Sequence, residues 1–224
     1  MKTMVLNADK LLSDSAEVVK RQLISVSNIS ELFYKNSSVK NGLYDEILEY
    51  FEAISNVRYY EKNQFFWLQY AMACLDAKEY KQAKNNFDIA YRLASEKQLE
   101  GEYQIDVQYA RYLLENGLET NLDEVDVFKV YKEAHRKFYD VFQNKSAQEY
   151  FVSKQMSLYK DFIYKYANKF SGDNFNKANS LIDSFIIAMN RYKYKGRNTA
   201  TTSDAIRKLY DCKDILFQSR GAVQ

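Results

Sequence analysis

Apolar residues recur along the chain at three- and four-residue intervals rather than in alternation, the pattern of helices and not of strands. The intervals predict nine or ten helices. A first, about Ala8 to Val26, carries Leu11, Leu12, Ala16, Val19 and Leu23 on one stripe, and a short segment follows around Ile29 to Tyr34. Gly42 precedes a helix over Tyr44–Ser55, with Leu43, Ile47, Leu48, Phe51 and Ile54 marking its apolar face. The next two, Asn63–Asp76 and Tyr80–Ser95, are joined only by Ala77-Lys78-Glu79, which forces them to lie antiparallel and side by side. Further on, the pattern predicts Glu102–Glu115 with Gly117 as its stop, Asp123–Phe142, and Ala147–Phe170 ended by Ser171-Gly172. Phe175–Tyr194 follows, capped by Asp173 or Asn174, then Asp204–Gln218, capped by Ser203 after the polar loop NTATTSD. No linker of disordered composition interrupts the series. It reads as one domain over residues 1–224: N-terminal helices at 1–60, a well-formed pair at 64–97, a degenerate pair at 98–142 and C-terminal helices at 143–224.

The pair at 64–97 has a finer order. Counted from Gln64, Trp67 stands fourth, Tyr70 seventh and Ala71 eighth; Tyr80, Ala83, Phe87 and Ala90 then alternate large with small along the second helix. Small residues let two helix backbones approach while aromatic ones fill the space between turns. The pattern resembles a tetratricopeptide repeat, whose unit is about 34 residues. It implies an all-α fold of antiparallel helical hairpins in a tetratricopeptide-like solenoid. Tyr109-Ala110-Arg111-Tyr112 resembles the start of a second unit, but the insertion GLETNLDEVDV displaces its second helix to Val130–Phe138, so the later repeats are degenerate.

A wider resemblance covers roughly residues 44–116. The runs YYEKNQFFWLQYAMACLDAKEYKQAKNNFDIAYRLASEK and YQIDVQYARYLLE are similar to the helical-repeat C-terminal part of large bacterial antiphage proteins of the STAND-like group. In those proteins the N-terminal part is a sirtuin-type or P-loop NTPase module. The resemblance implies a role in bacterial antiviral defence, in which the helical part senses a trigger or assembles the complex and the N-terminal module performs the chemistry. The chain would then be a fragment of such an effector or its separately encoded partner.

Composition narrows the classes. With 46% apolar residues in 224, a sizeable core is expected and disorder is not. There is no proline, where average usage of about 5% gives roughly 11, as suits long helices with short connections. The 20 tyrosines and 14 phenylalanines are expected at helix–helix contacts. A net charge of +2 from 32 basic and 30 acidic groups creates no global field for nucleic acid or membrane. Cys74 and Cys212 stand far apart without a CxxC or Cys/His cluster, the N-terminus meets a charge before any apolar run, and no run reaches the length of a membrane span. A soluble cytoplasmic protein is expected.

Candidate chemistry is sparse. The six glycines (42, 101, 117, 172, 196, 221) form neither GxGxxG nor GxxxxGK[ST], and SGDNFNKANS lacks the second glycine of a phosphate cradle. His135, the single histidine, stands beside Glu133 and Arg136 without a ligand partner at helical spacing, and reads as a surface or half-buried helix residue. Cys74 reads as core, and Asp45, Glu46 and Glu49 as a solvated face. No catalytic activity, cofactor or metal is expected.

Binding is the better expectation. In such hairpins the inner face of the first helix lines a concave groove for a peptide or helix, which here selects Phe65, Leu68, Met72 and Asp76, extended by Gln104, Val107 and Arg111. The other use of that face is burial within the chain, an equal alternative for Leu68 and Met72. A second candidate lies near the C-terminus, where residues 191–220 hold eight Lys/Arg against three Asp, a surplus of five. Arg191, Tyr192, Lys193, Tyr194, Lys195 and Arg197 interleave aromatics with bases, as single-strand nucleic-acid binders do. Set against this, cations in a last helical turn also offset the helix dipole.

Overall fold

The computed structural model describes residues 40–96, 102–144, 149–194 and 199–221. The helices expected at Ala8–Val26 and Ile29–Tyr34 lie outside the described residues. Among the described residues all regular structure is helical, with no strand. The chain divides into two compact units, residues 1–100 and 101–224, where one continuous domain was expected.

The first unit holds α1 (Lys40–Ser55), α2 (Arg58–Glu61), α3 (Gln64–Asp76) and α4 (Tyr80–Glu96). Asn63 starts α3: its Oδ1 accepts from the amides of Phe65 at 3.0 Å and Phe66 at 3.4 Å. At the other end the Glu79 amide donates to Cys74 O at 2.8 Å and the Lys78 amide to Leu75 O at 3.0 Å. These two bonds form a Schellman closure, with Lys78 at φ 63° where glycine is the easiest residue. The chain reverses within three residues and α4 runs back along α3. Ala71, Ala83, Phe87 and Ala90 are fully buried. Two side-chain bonds cross the hairpin, from Gln82 Nε2 to Tyr70 Oη at 2.5 Å and from Asn86 Nδ2 to Cys74 Sγ at 3.4 Å. α1 docks through Phe51, whose ring stacks on Tyr70 at 5.1 Å and tilts against Phe66 at 5.5 Å. Trp67 is half-buried, and its indole N–H donates to Glu61 O at 2.9 Å, tying α2 to α3.

The second unit holds α5 (Glu102–Glu119), α6 (Glu124–Asn144), α7 (Glu149–Lys154), α8 (Met156–Tyr166), a 3-10 turn (Ala167–Lys169), α9 (Gly172–Tyr194) and α10 (Thr199–Gly221). α5 pairs with α6 and α9 with α10, while α8 packs on α5 and α10. Phe138, Phe162, Phe185, Tyr131, Tyr159 and Tyr166 fill its core.

Four sequence expectations are corrected in this unit. Gly117 does not stop α5, which runs on to Glu119. A Cβ at Gly117 would lie 2.6 Å from Phe162 Cε2, so glycine is there to admit a ring from α8. The helix expected over Ala147–Phe170 is interrupted at Gln155. The break lets α7 face α6 and α10 while α8 turns to α5 and α10. α9 begins at Gly172, which stands at φ +51°, rather than at Phe175. Finally, the stretch expected as a polar loop belongs to α10, which starts at Thr199. Thr202 is fully buried and continues the inward face of Ala205, Leu209, Cys212 and Leu216, so Ser203 lies inside the helix and does not cap it.

The junction between α5 and α6 is held from α8. Tyr166 Oη lies 2.6 Å from both Gly117 O and Thr120 O and also meets the Leu122 amide at 3.4 Å. The Lys165 ammonium donates to Leu118 O and, at 2.8 Å, to Thr120 O, and Lys169 donates to Leu122 O. Cations and a hydroxyl thus satisfy the carbonyls that the end of α5 leaves over.

Candidate interaction surface

α3 is apolar on nearly all sides. Gln64, Phe66, Leu68, Tyr70, Ala71, Cys74 and Leu75 are buried, which leaves a narrow sector open. At 100° per residue, positions 65, 69, 72 and 76 share that sector. Phe65 is 43% exposed, and Gln69, Met72 and Asp76 are half-buried below it. This stripe overlaps the groove expected from sequence but is not identical with it. Leu68, only 3% exposed, belongs to the packed side, and Gln69, not expected, takes its place. The sequence signal that could have found Gln69 is the polar residue four places after Phe65 on an otherwise apolar helix.

In the second unit, α5 repeats the geometry with different chemistry. Gln104 is exposed and Arg111 half-buried, its Nε donating to Glu115 Oε1 at 2.7 Å. Val107 is 2% exposed and belongs to the core cluster, so it lines no open surface. Gln108, at the position that Gln69 holds in α3, is half-buried with its Oε1 enclosed, so the line of Gln104, Gln108, Arg111 and Glu115 is polar and only Gln104 on it is exposed.

The basic C-terminal candidate is only partly described. Arg191 and Lys193 are exposed at the end of α9. Tyr192 is half-buried, its ring against Phe142 at 5.5 Å, and it is therefore no free platform for a base. The Tyr194 side chain, Lys195 and Arg197 lie outside the described residues. Of the other bases, Arg207 and Lys208 both bind Asp204 at 2.6 Å, and Lys213 binds Asp183 at 2.5 Å. Arg220 lies over the Phe175 ring at 4.8 Å.

His135 is placed differently from expectation. It is 2% exposed, with Phe185 edge-on at 5.4 Å and Tyr139 stacked at 5.8 Å. Its Nδ1 is 2.9 Å from Tyr159 Oη. Burial pulls its pKa down to about 4, so the ring is neutral near pH 7. The cysteines are free, buried thiols; burial raises both pKa values, that of Cys74 to about 12, which leaves them inert near pH 7. Among the described residues no group of three or more His, Cys, Asp or Glu could hold a metal, and no helix is long and apolar enough to cross a membrane.

No family model, no curated protein and no solved structure matches the chain. What its geometry defines is a class: an all-helical protein whose first unit presents a short amphipathic stripe on the first helix of a tight hairpin.

Proposed function

We propose that the chain is a non-catalytic, tetratricopeptide-like protein-binding module that receives a peptide or helix along the α3 stripe. The observation that carries this reading is Phe65, a large aromatic left open at the head of α3, with Gln69, Met72 and Asp76 in line below it. Aromatic anchors flanked by a polar group at defined spacing are what a docking helix uses for affinity and register. The repeat reading is supported by the burial of Ala71, Ala83 and Ala90 with Phe87 between the two helices.

On the resemblance of residues 44–116, we place the module in a bacterial antiviral defence system, as the sensing or assembling part of an effector whose catalytic module is separate. A cytoplasmic location is supported by two free, buried thiols. The test is affinity purification from cells with Phe65→Ser and Asp76→Ala. Both variants should keep wild-type helicity by circular dichroism and lose the specific partner; unchanged recovery removes the α3 stripe from consideration. A salt-sensitive mobility shift of DNA or RNA, abolished by Arg191→Ser with Lys193→Ser, would favour nucleic-acid binding instead.

A further inference from the structure

We propose that the second unit is an acid-opened body whose trigger is His135, buried among uncharged side chains where α6, α8 and α9 meet, with its Nδ1 hydrogen fixed by a one-way chain of hydrogen bonds. The far end of the chain fixes its direction. A carbonyl can only accept, so Tyr131 Oη donates to Ala178 O, 3.2 Å away. With its one proton used, Tyr131 Oη accepts from Tyr159 Oη at 2.7 Å. Tyr159 has then no proton left to give, and the 2.9 Å contact with His135 Nδ1 requires that nitrogen to carry the hydrogen. The neutral ring is therefore the Nδ1–H tautomer. The three links join α6 (His135 and Tyr131) to α8 (Tyr159) and to the backbone of α9 (Ala178).

A second proton on this ring would find no counter-charge. The ring is faced by Tyr131 and Tyr139 from α6, Tyr159 from α8 and Phe185 from α9. α10 contributes the Cys212 thiol, whose charged form acts on both Tyr131 and Tyr159. Both tyrosines and the thiol have pKa values raised by burial, so all are neutral from neutral to acid pH. Of the carboxylates on the surrounding helices, Glu133 and Asp140 pair with Arg136, Asp183 with Lys213 and Asp211 with Lys160, Asp161 is exposed on α8, and none acts on the imidazole. Desolvation alone acts on the imidazole and depresses its pKa from 6.5 to about 4.

The sign follows. The unfolded chain takes up a proton near pH 6.5 and the folded unit only near pH 4. The contribution of His135 is thus complete above pH 6.5, is lost as pH falls through that window, and changes no further below pH 4. Across the window the folded-to-unfolded ratio should fall by roughly two orders of magnitude from this one group.

The chain has a single histidine, so its ring can be observed in the intact protein. Ring 15N NMR of the full chain labelled at histidine should show one neutral imidazole with Nδ1 protonated, still neutral at pH 5 in the folded chain and protonated only near pH 4 or where the resonances of the second unit collapse. A ring protonated at Nε2, or one that titrates near pH 6.5 in a still-folded protein, overturns the proposal. His135→Phe leaves the Tyr159–Tyr131–Ala178 links in place. Its folded-to-unfolded ratio should stay flat between pH 6.5 and 5, where the wild type loses roughly 15-fold, and an equal loss in the variant also overturns it. If His135→Phe does not fold, the ring titration decides alone.

Discussion

The α3–α4 hairpin and the α5–α10 bundle are both helical, yet different kinds of residue set their geometry. In the hairpin they are small: Ala71, Ala83 and Ala90 let two helices close around Phe87, and the crossing bonds link residues only 12 apart. In the bundle they are aromatic rings with polar tips that reach far along the chain. Tyr166 binds Gly117 O across 49 residues, and Tyr131 binds Ala178 O across 47. Local contacts form early and write their pattern into consecutive sequence; distant ones do not. The hairpin is thereby a short pair of helices tied by local contacts, and the bundle a body closed by long-range ties.

The comparison breaks most visibly if the hairpin does not depend on its small residues. Ala83→Leu places three extra carbons at a fully buried helix contact and should cost about 3 kcal/mol, the upper part of the usual overpacking range. Urea denaturation with amide hydrogen exchange should locate the loss in α3 and α4 and leave α5–α10 protected; a cost below about 1 kcal/mol would mean that the hairpin is not closely packed.

Gly117→Ala is the matching test in the bundle. Alanine is favoured over glycine within a helix by about 1 kcal/mol, but its Cβ would lie 2.6 Å from the wholly buried Phe162 ring. A net destabilisation of about 2 kcal/mol is expected. Stabilisation would show that the α5–α8 approach is loose. Smaller again, and opposite in sign, is Lys78→Gly. Relieving the positive φ at the α3 closure should raise the unfolding free energy of the hairpin by about 0.5–1 kcal/mol in urea denaturation. A loss there would mean that the lysine side chain contributes more than its backbone strain costs.

Much of the first unit was legible in the sequence because its signals are local. A three-residue turn and alternating large and small residues place α3 and α4 within a residue of the expected bounds, although Asn63, expected as the first helical residue, caps α3 instead. The second unit misled wherever a residue serves a distant partner. Gly117 looks like a stop until the Phe162 ring arrives from 45 residues away. Thr199–Asp204 looks like a loop because threonine and serine are poor helix formers, until burial of Thr202 is seen. His135 carries no mark of its tyrosine partner 24 residues on. At the candidate site, helical periodicity found Phe65, Met72 and Asp76, but it could not tell that Leu68 faces the packed side while Gln69 stays half-open. On a helix buried around most of its circumference, neighbours decide which sector is free.

Site-specific photo-crosslinking in the full-length chain tests the α3 stripe most directly. A photoreactive phenylalanine at position 65 should yield a discrete adduct with one partner, and one at position 72 the same adduct. The same group in place of Val125, which is 73% exposed but lies off the stripe, should yield none. No adduct from position 65, or equal adducts from 65 and 125, would contradict docking on α3.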